Sequence, residues 1–151
     1  MTLTFRKRRH AVKLPHYRIE EIKELGNTPA ITAYLKERGV WQTAQGKLKE
    51  VYYYVEDQKK TRKQFYAAGH QNENGGWQVH SQKFHACIGL KGLTIIPGQT
   101  EEVSVFNDFF AYLEWLTENQ QQGTVVIVND PALLPQAATF FNNPLPVNEK
   151  R

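Results

Sequence analysis

The chain has 151 residues, with 40% hydrophobic side chains and a single cysteine. That is room for one domain with a real core, and it excludes a disordered chain, an internal disulfide framework and a multi-cysteine zinc site. The formal charge is +4, from 19 Lys and Arg against 15 Asp and Glu, too mild by itself to specify a polyanionic partner. There is no apolar run of membrane-spanning length and no apolar N-terminal leader, so a cytoplasmic protein with no membrane partner is expected.

Four segments are expected in chain order. Residues 1–16 read as a basic flexible lead-in, with Arg6, Lys7, Arg8, Arg9, His10 and Lys13 crowded together. Residues 17–48 read as a small helical subdomain. Ile19, Ile22 and Leu25 stand at threefold spacing and suggest a short helix over 17–25, broken at Gly26-Asn27. Thr28-Pro29 then predicts a helix start, the hydroxyl capping and the proline in the first turn. Ile31, Tyr34 and Leu35 supply its buried face, Gly39 ends it, and a further turn or two fits between Trp41 and Leu48.

Residues 49–98 form a β-rich region. Glu50–Val55 and Lys63–Ala68 read as a hairpin joined by a polar connection that carries Lys59, Lys60, Arg62 and Lys63. Residues 69–76 (GHQNENGG) are a turn-rich loop, and Trp77 to His80 alternates as a third strand. Lys83 to Cys87 extends or bends it, and Thr94 to Ile96 precedes a Pro-Gly turn. The two basic clusters are candidate phosphate contacts. Trp77 and Tyr53 are candidate stacking platforms for unpaired bases, against the plainer reading of cross-strand packing.

Residues 99–151 carry a β-α-β unit followed by a second helix, over Leu133 to Phe141. Val103–Phe106 and Thr124–Val128 are apolar throughout and flank a helix with Phe109, Leu113 and Leu116 at i, i+4 and i+7, which predicts parallel strands covered on both faces. In such sheets chemistry sits beyond the carboxyl ends of the strands, here Asn107-Asp108 and Asn129-Asp130. Either Asn107 or Asp108 can cap the helix, and Asp130 ahead of Pro131 is a natural turn residue. His70, His80 and His85 are unevenly spaced, and a zinc site would need them gathered with a carboxylate such as Glu73. Cys87 has no evident base partner and reads as a small buried residue. No P-loop or dinucleotide fingerprint is present.

Lys49-Glu50-Val51 leading into a tyrosine run, Ala33 to Val40 (AYLKERGV), FYAAGHQNENGGWQVHSQKFHACIGLKGLTII, VSVFNDFFAYLEWL and VVIVND together closely resemble primase-like proteins of Bacteroides-type plasmids and conjugative elements. Those proteins usually join an N-terminal zinc finger to a Toprim-type domain, the metal-binding fold of primases and topoisomerases. The resemblance implies an α/β fold with a Toprim-like, partly parallel sheet flanked by helices, plus a small N-terminal helical subdomain and a β-hairpin or meander. It also implies where chemistry would sit. The motif Glu falls on Asn107, the Gly on Asp108 and the later Asp on Ala111. The Asp-x-Asp pair falls on Asn129, Asp130 and Pro131, or on Asp130, Pro131 and Ala132 if slid by one, and neither register restores it. Without the general acid/base carboxylate and most magnesium ligands, phosphoryl transfer loses its groups.

The expectation is therefore a catalytically degenerate Toprim-like domain, either a truncated form or one piece of a longer protein, with no catalytic residue and no cofactor. Magnesium enters only if the altered site still functions. Its partners would be single- or double-stranded DNA and replication or mobilisation proteins. Two alternatives stand beside it. One is a protein-interaction module, motivated by a helix too apolar for one sheet face to bury; the other is an active magnesium-dependent primase.

Overall fold

The computed structural model describes residues 16–82 and 84–141; the basic lead-in cluster Arg6 to Lys13 and the last ten residues lie outside them. Five strands form an antiparallel meander in sequential order: β1 (Arg18–Lys23), β2 (Lys49–Glu56), β3 (Arg62–Gln71), β4 (Trp77–Ser81) and β5 (Phe84–Ile88). Between β1 and β2 lie α1 (Pro29–Glu37) and the single turn α2 (Trp41–Ala44). A second, three-stranded sheet follows, from β6 (Thr94–Ile96), β7 (Val103–Phe106) and β8 (Thr124–Ile127) in the order β6-β8-β7. Helix α3 (Phe109–Leu116) joins β7 to β8, and a 3₁₀ turn (Pro131–Leu133), α4 (Leu134–Ala138) and a last 3₁₀ turn (Thr139–Phe141) close the described chain.

The architecture is a mixed α/β fold in which, among the described residues, parallel pairing joins β7 to β8, and β6 pairs with β8 antiparallel. Helix α3 lies between the two sheets. Phe109 and Phe110 meet His70 and His80 of the meander, while Phe106, Val125 and Ile127 belong to the same core cluster from the small sheet. The far face of the small sheet packs Val126 and Val128 against Ala137, Leu133 and Phe140. Helix α3 is therefore apolar nearly all round because it is covered nearly all round: Phe109, Phe110, Tyr112 and Leu113 are buried. This takes away the observation behind a protein-interaction module.

The segment 17–48 departs from the expectation. Residues 18–23 are a strand, and the region 17–48 is not wholly helical. A register shift between Ile19 and Glu21 inserts an extra residue into the pairing with β2, so Ile19 and Ile22 stand three apart without being helical. Helix α1 begins where Thr28-Pro29 places it, but Thr28 makes no side-chain cap. Its hydroxyl pairs with the Tyr52 hydroxyl. The loop before α1 is instead held by Glu50, fully buried on β2, whose carboxylate accepts from the backbone N–H groups of Gly26, Asn27 and Thr28 at 2.9–3.1 Å and from Tyr52 Oη. Burial alone would raise the Glu50 pKa, but these hydrogen bonds outweigh it and hold the group below its ordinary value.

The GHQNENGG stretch is only partly loop, since β3 runs on through Gln71. Lys83–Cys87 does not prolong β4: Phe84–Ile88 is a separate strand paired back upon it. The Asn74-Gly75-Gly76 turn is fixed by buried Asn72, whose Oδ1 accepts from the N–H groups of Asn74 and Gly76 while its Nδ2 donates to Gln78 Oε1 and the Leu90 carbonyl. Gly76 packs so closely that a Cβ there would lie 2.0 Å from the Leu90 oxygen, so no other residue fits.

Candidate functional site

At the carboxyl ends of β7 and β8, every polar side chain but one is held by the scaffold. Asp108 is the N-cap of α3, its Oδ1 accepting from Ala111 N–H at 2.9 Å. Asp130 accepts from Ala132 N–H at 2.9 Å, and its other oxygen lies 2.9 Å from Lys91 Nζ; the backbone bond and then the lysine lower its pKa. Pro131 is the exposed first residue of the 3₁₀ turn, and Ala111 lies half-buried on α3. Asn129 adopts a left-handed φ of 70°. Its Nδ2 donates to the Gly92 carbonyl and Thr94 Oγ1 at 2.9 Å, and its Oδ1 faces His70 Nε2 at 3.3 Å. Asn107 is exposed, and its carbonyl accepts from Asn129 N–H at 3.0 Å.

Magnesium prefers several oxygen ligands free to turn toward it in octahedral geometry. Here one carboxylate caps a helix, the second caps a turn and pairs with a lysine, and the remaining positions are amides or apolar. The residues do not fit a two-metal centre. Among the described residues, no three His, Cys, Asp or Glu side chains gather in a way that would hold a metal ion.

Strand pairing brings the three histidines into one row that their sequence spacing conceals. His80 and His85 are register partners across β4 and β5, with Nδ1 atoms 2.9 Å apart. His70 stacks on His80 and on Phe109, with ring centroids 5.4 and 4.0 Å apart. Burial drives the His70 pKa down to about 4 and holds that of His80 well below the ordinary value, so both rings are neutral near pH 7. Because Asn129 donates through Nδ2, its Oδ1 must accept, which places the His70 proton on Nε2. His70 Nδ1 and His80 Nε2 are buried without a hydrogen-bond partner. The position of Cys87 matches its expected role in part: the thiol is half-buried, donates to the Leu90 carbonyl, and burial pushes its pKa up.

The basic connection is a tight turn. Asp57 Oδ1 accepts from the N–H groups of Lys59 and Thr61, and Lys60 carries a left-handed φ of 67°. Lys59, Lys60 and Lys63 form no ion pair among the described residues, while Arg62 pairs with Glu56 at 3.0 Å and lies 4.0 Å from the Tyr54 ring centre.

The stacking candidates divide. Tyr53 is 2% exposed in a cluster where Tyr17, just before β1, meets both Tyr53 and Phe84 of β5. It is core, not a platform, and burial raises its pKa to about 12. Trp77 is half-buried against the same cluster. The aromatic residues turned the other way are Tyr52, Tyr54 and Tyr66. Tyr66 is 48% exposed and 6.4 Å from Tyr52, and Lys23 Nζ lies 5.1 Å from the Tyr52 ring centre. Alternation in EVYYYV already separated Tyr53 from its two neighbours; what could not be read was that both sides carry core, since Glu50 and Ala68 on the side of Tyr52 and Tyr66 are buried and Ala68 clusters with Ile31 and Leu35 of α1.

Residues 19–89 match a family model described as a domain of unknown function (DUF8464). That segment is similar to the family over the meander with α1 and α2, and the match stops before β6. The β7-α3-β8 unit, with the positions that the sequence resemblance singles out, lies outside it. No curated protein and no solved structure matches the chain.

Proposed function

We propose that this chain is a non-catalytic nucleic-acid-binding module that uses the outward face of the β2–β3 hairpin to hold single strands. The observation that carries this reading is the face itself: Tyr52, Tyr54 and Tyr66 stand together on one side of the two strands, beside Arg62 and a turn bearing Lys59 and Lys60, while Lys63 lies over the Phe65 ring on the other side. Aromatic rings on a sheet with flanking cations suit unpaired bases, which every sequence can stack and every phosphate can follow. Glu20, Glu21 and Glu56 interleave with the cations, so attraction is local to the turn and stacking carries much of the affinity.

The kinship with Toprim primase-like proteins is part of the same proposal. It rests on the sequence resemblance and on the parallel β7-α3-β8 unit with polar residues at its strand ends. In this reading the unit is a retained scaffold, and the module assists replication or mobilisation of a mobile element without polymerising nucleotides.

The test is fluorescence anisotropy with a labelled 12-nucleotide single strand, DNA and RNA in parallel, titrated in low salt. The expected result is saturable binding that weakens at least fivefold when Tyr52 and Tyr66 are both replaced by Ala. A flat titration, or binding indifferent to both tyrosines, overturns the proposal.

A further inference from the structure

His80 and His85 meet in a way that packing alone does not explain. They are register partners across β4 and β5, and their Nδ1 atoms face each other at 2.9 Å. Two neutral imidazoles so placed share one proton between them. His80 meanwhile lies in the core with its Nε2 unpartnered, a cost that an apolar residue at that position would not carry. Its ring is nonetheless held on two sides. It stacks on His70 with centroids 5.4 Å apart and meets Phe110 in a T-shape at 5.2 Å, and His70 is itself fixed by Phe109 and Asn129. His85 is the opposite, exposed on the last strand of the meander. One donor is preorganised and buried, the other is open to solvent, and each turns the same nitrogen toward the other. Convergent donors with an entry path are what a metal site requires.

The donor set decides which metal. Among the described residues, no carboxylate, thiol or third histidine joins the two to make a metal-holding group. Zinc takes four ligands in its structural sites, and magnesium takes oxygen, so neither suits the pair. No negative charge is at hand to offset a dication, and the positive charge of Arg38 already acts on His80. Imidazole does suit copper, and the monovalent ion is satisfied by two collinear nitrogens. An imidazole nitrogen stands about 2 Å from a first-row metal, so collinear donors lie about 4 Å apart. The pair then opens by about 1 Å, a small turn of the exposed His85 ring. We propose that His80 and His85 bind one soft monovalent ion of the copper(I) class through their Nδ1 atoms, tying β5 to β4. The site stands independently of the single-strand reading of the hairpin face.

Cys87 is a free thiol and would itself capture a soft ion, so the measurement uses the full chain carrying Cys87→Ser beside the wild type. Silver(I) nitrate in chloride-free buffer is titrated in one series. Copper(I) buffered by bicinchoninate, without oxygen, is titrated in the other. The side-chain nitrogen resonances of His80 and His85 are followed by NMR, with zinc(II) as the comparison ion.

The expected result is one equivalent bound, with the Nδ1 resonances of both histidines moving together and zinc(II) leaving them in place at the same concentration. His85→Gln changes an exposed side chain, and it should weaken binding at least about tenfold while the near-UV circular dichroism stays unchanged. If neither Nδ1 resonance moves, or if His85→Gln binds as tightly as its parent, the pair holds a proton only and the inference falls. If zinc(II) moves both resonances as readily as the monovalent ions, the assignment to the copper(I) class falls.

Discussion

The meander and the β7-α3-β8 unit treat their polar residues in opposite ways. At the ends of β7 and β8, Asp108, Asn129 and Asp130 are each engaged by backbone, lysine or histidine partners within the chain. On the meander, Lys59, Lys60 and Lys63 have no ion-pair partner among the described residues, and Tyr66 is exposed. At the strand ends the polar side chains are committed to holding the backbone, whereas on the meander several charged and aromatic groups are left over, and the proposed binding reading rests on those.

The contrast is broken most severely at Glu50, a buried carboxylate that is structural within the meander itself. Glu50→Ala strands three backbone N–H groups and the Tyr52 hydroxyl, and the expected loss is about 4 kcal/mol in urea unfolding. A loss below about 1 kcal/mol would mean that water readily replaces the carboxylate. Asn129→Ala should follow at about 3 kcal/mol, since it removes two donated hydrogen bonds and places Ala at a left-handed φ. Asn129→Gly relieves the backbone and should recover about 1 kcal/mol of that. Single-strand affinity should stay unchanged in both Asn129 variants, which separates scaffold from surface.

Acid sharpens the same comparison. His70 has a folded pKa near 4 against an ordinary 6.5, so the unfolded chain binds the proton first. Its contribution is fully present above pH 6.5 and lost progressively as the pH falls toward 4, by roughly 3 kcal/mol at most. Glu50 behaves alike for a different reason. Its depressed pKa contributes stability that is present above its ordinary 4.5 and lost as the pH falls through the lower folded value. Urea midpoints measured from pH 7.5 to 4 should decline, and His70→Gln should flatten the limb above pH 5. An unchanged limb would relocate the titrating group.

Asp108→Ala should cost about 1 kcal/mol as a lost helix cap, with no change in the protein's response to magnesium by calorimetry. A magnesium signal in wild type that vanishes in this variant would make Asp108 a ligand after all. Smallest in stability is neutralisation of Lys59, Lys60, Arg62 and Lys63 to Gln, within about 0.5 kcal/mol. The same variant should weaken strand binding and reduce its salt slope by about 2 to 3.

Much of this was readable in the sequence wherever one period dominated. The hairpin, the third strand, α1 and the apolar β-α-β unit all followed from alternation, proline and glycine placement, or continuous β-branched runs. Residues 18–23 were misread because the irregularity between Ile19 and Glu21 spaced two isoleucines as a helix would. The role of Thr28 was misassigned because its competitor, Glu50, is more than twenty residues away. The histidine row depended on the β4–β5 register, and the partners of Asn129 lie on β3, on β6 and at Gly92. Capping by Asp108 and turn formation by Asp130 were legible because both act within three residues of themselves.

The most direct test is to map a single strand onto the protein by amide chemical shifts, with and without magnesium. The account predicts that perturbations fall on the β2–β3 hairpin and the neighbouring end of α1, leave Asn107–Ala111 and Asn129–Pro131 unmoved, and do not depend on magnesium. Perturbations centred on those strand ends, or appearing only when magnesium is added, would contradict it.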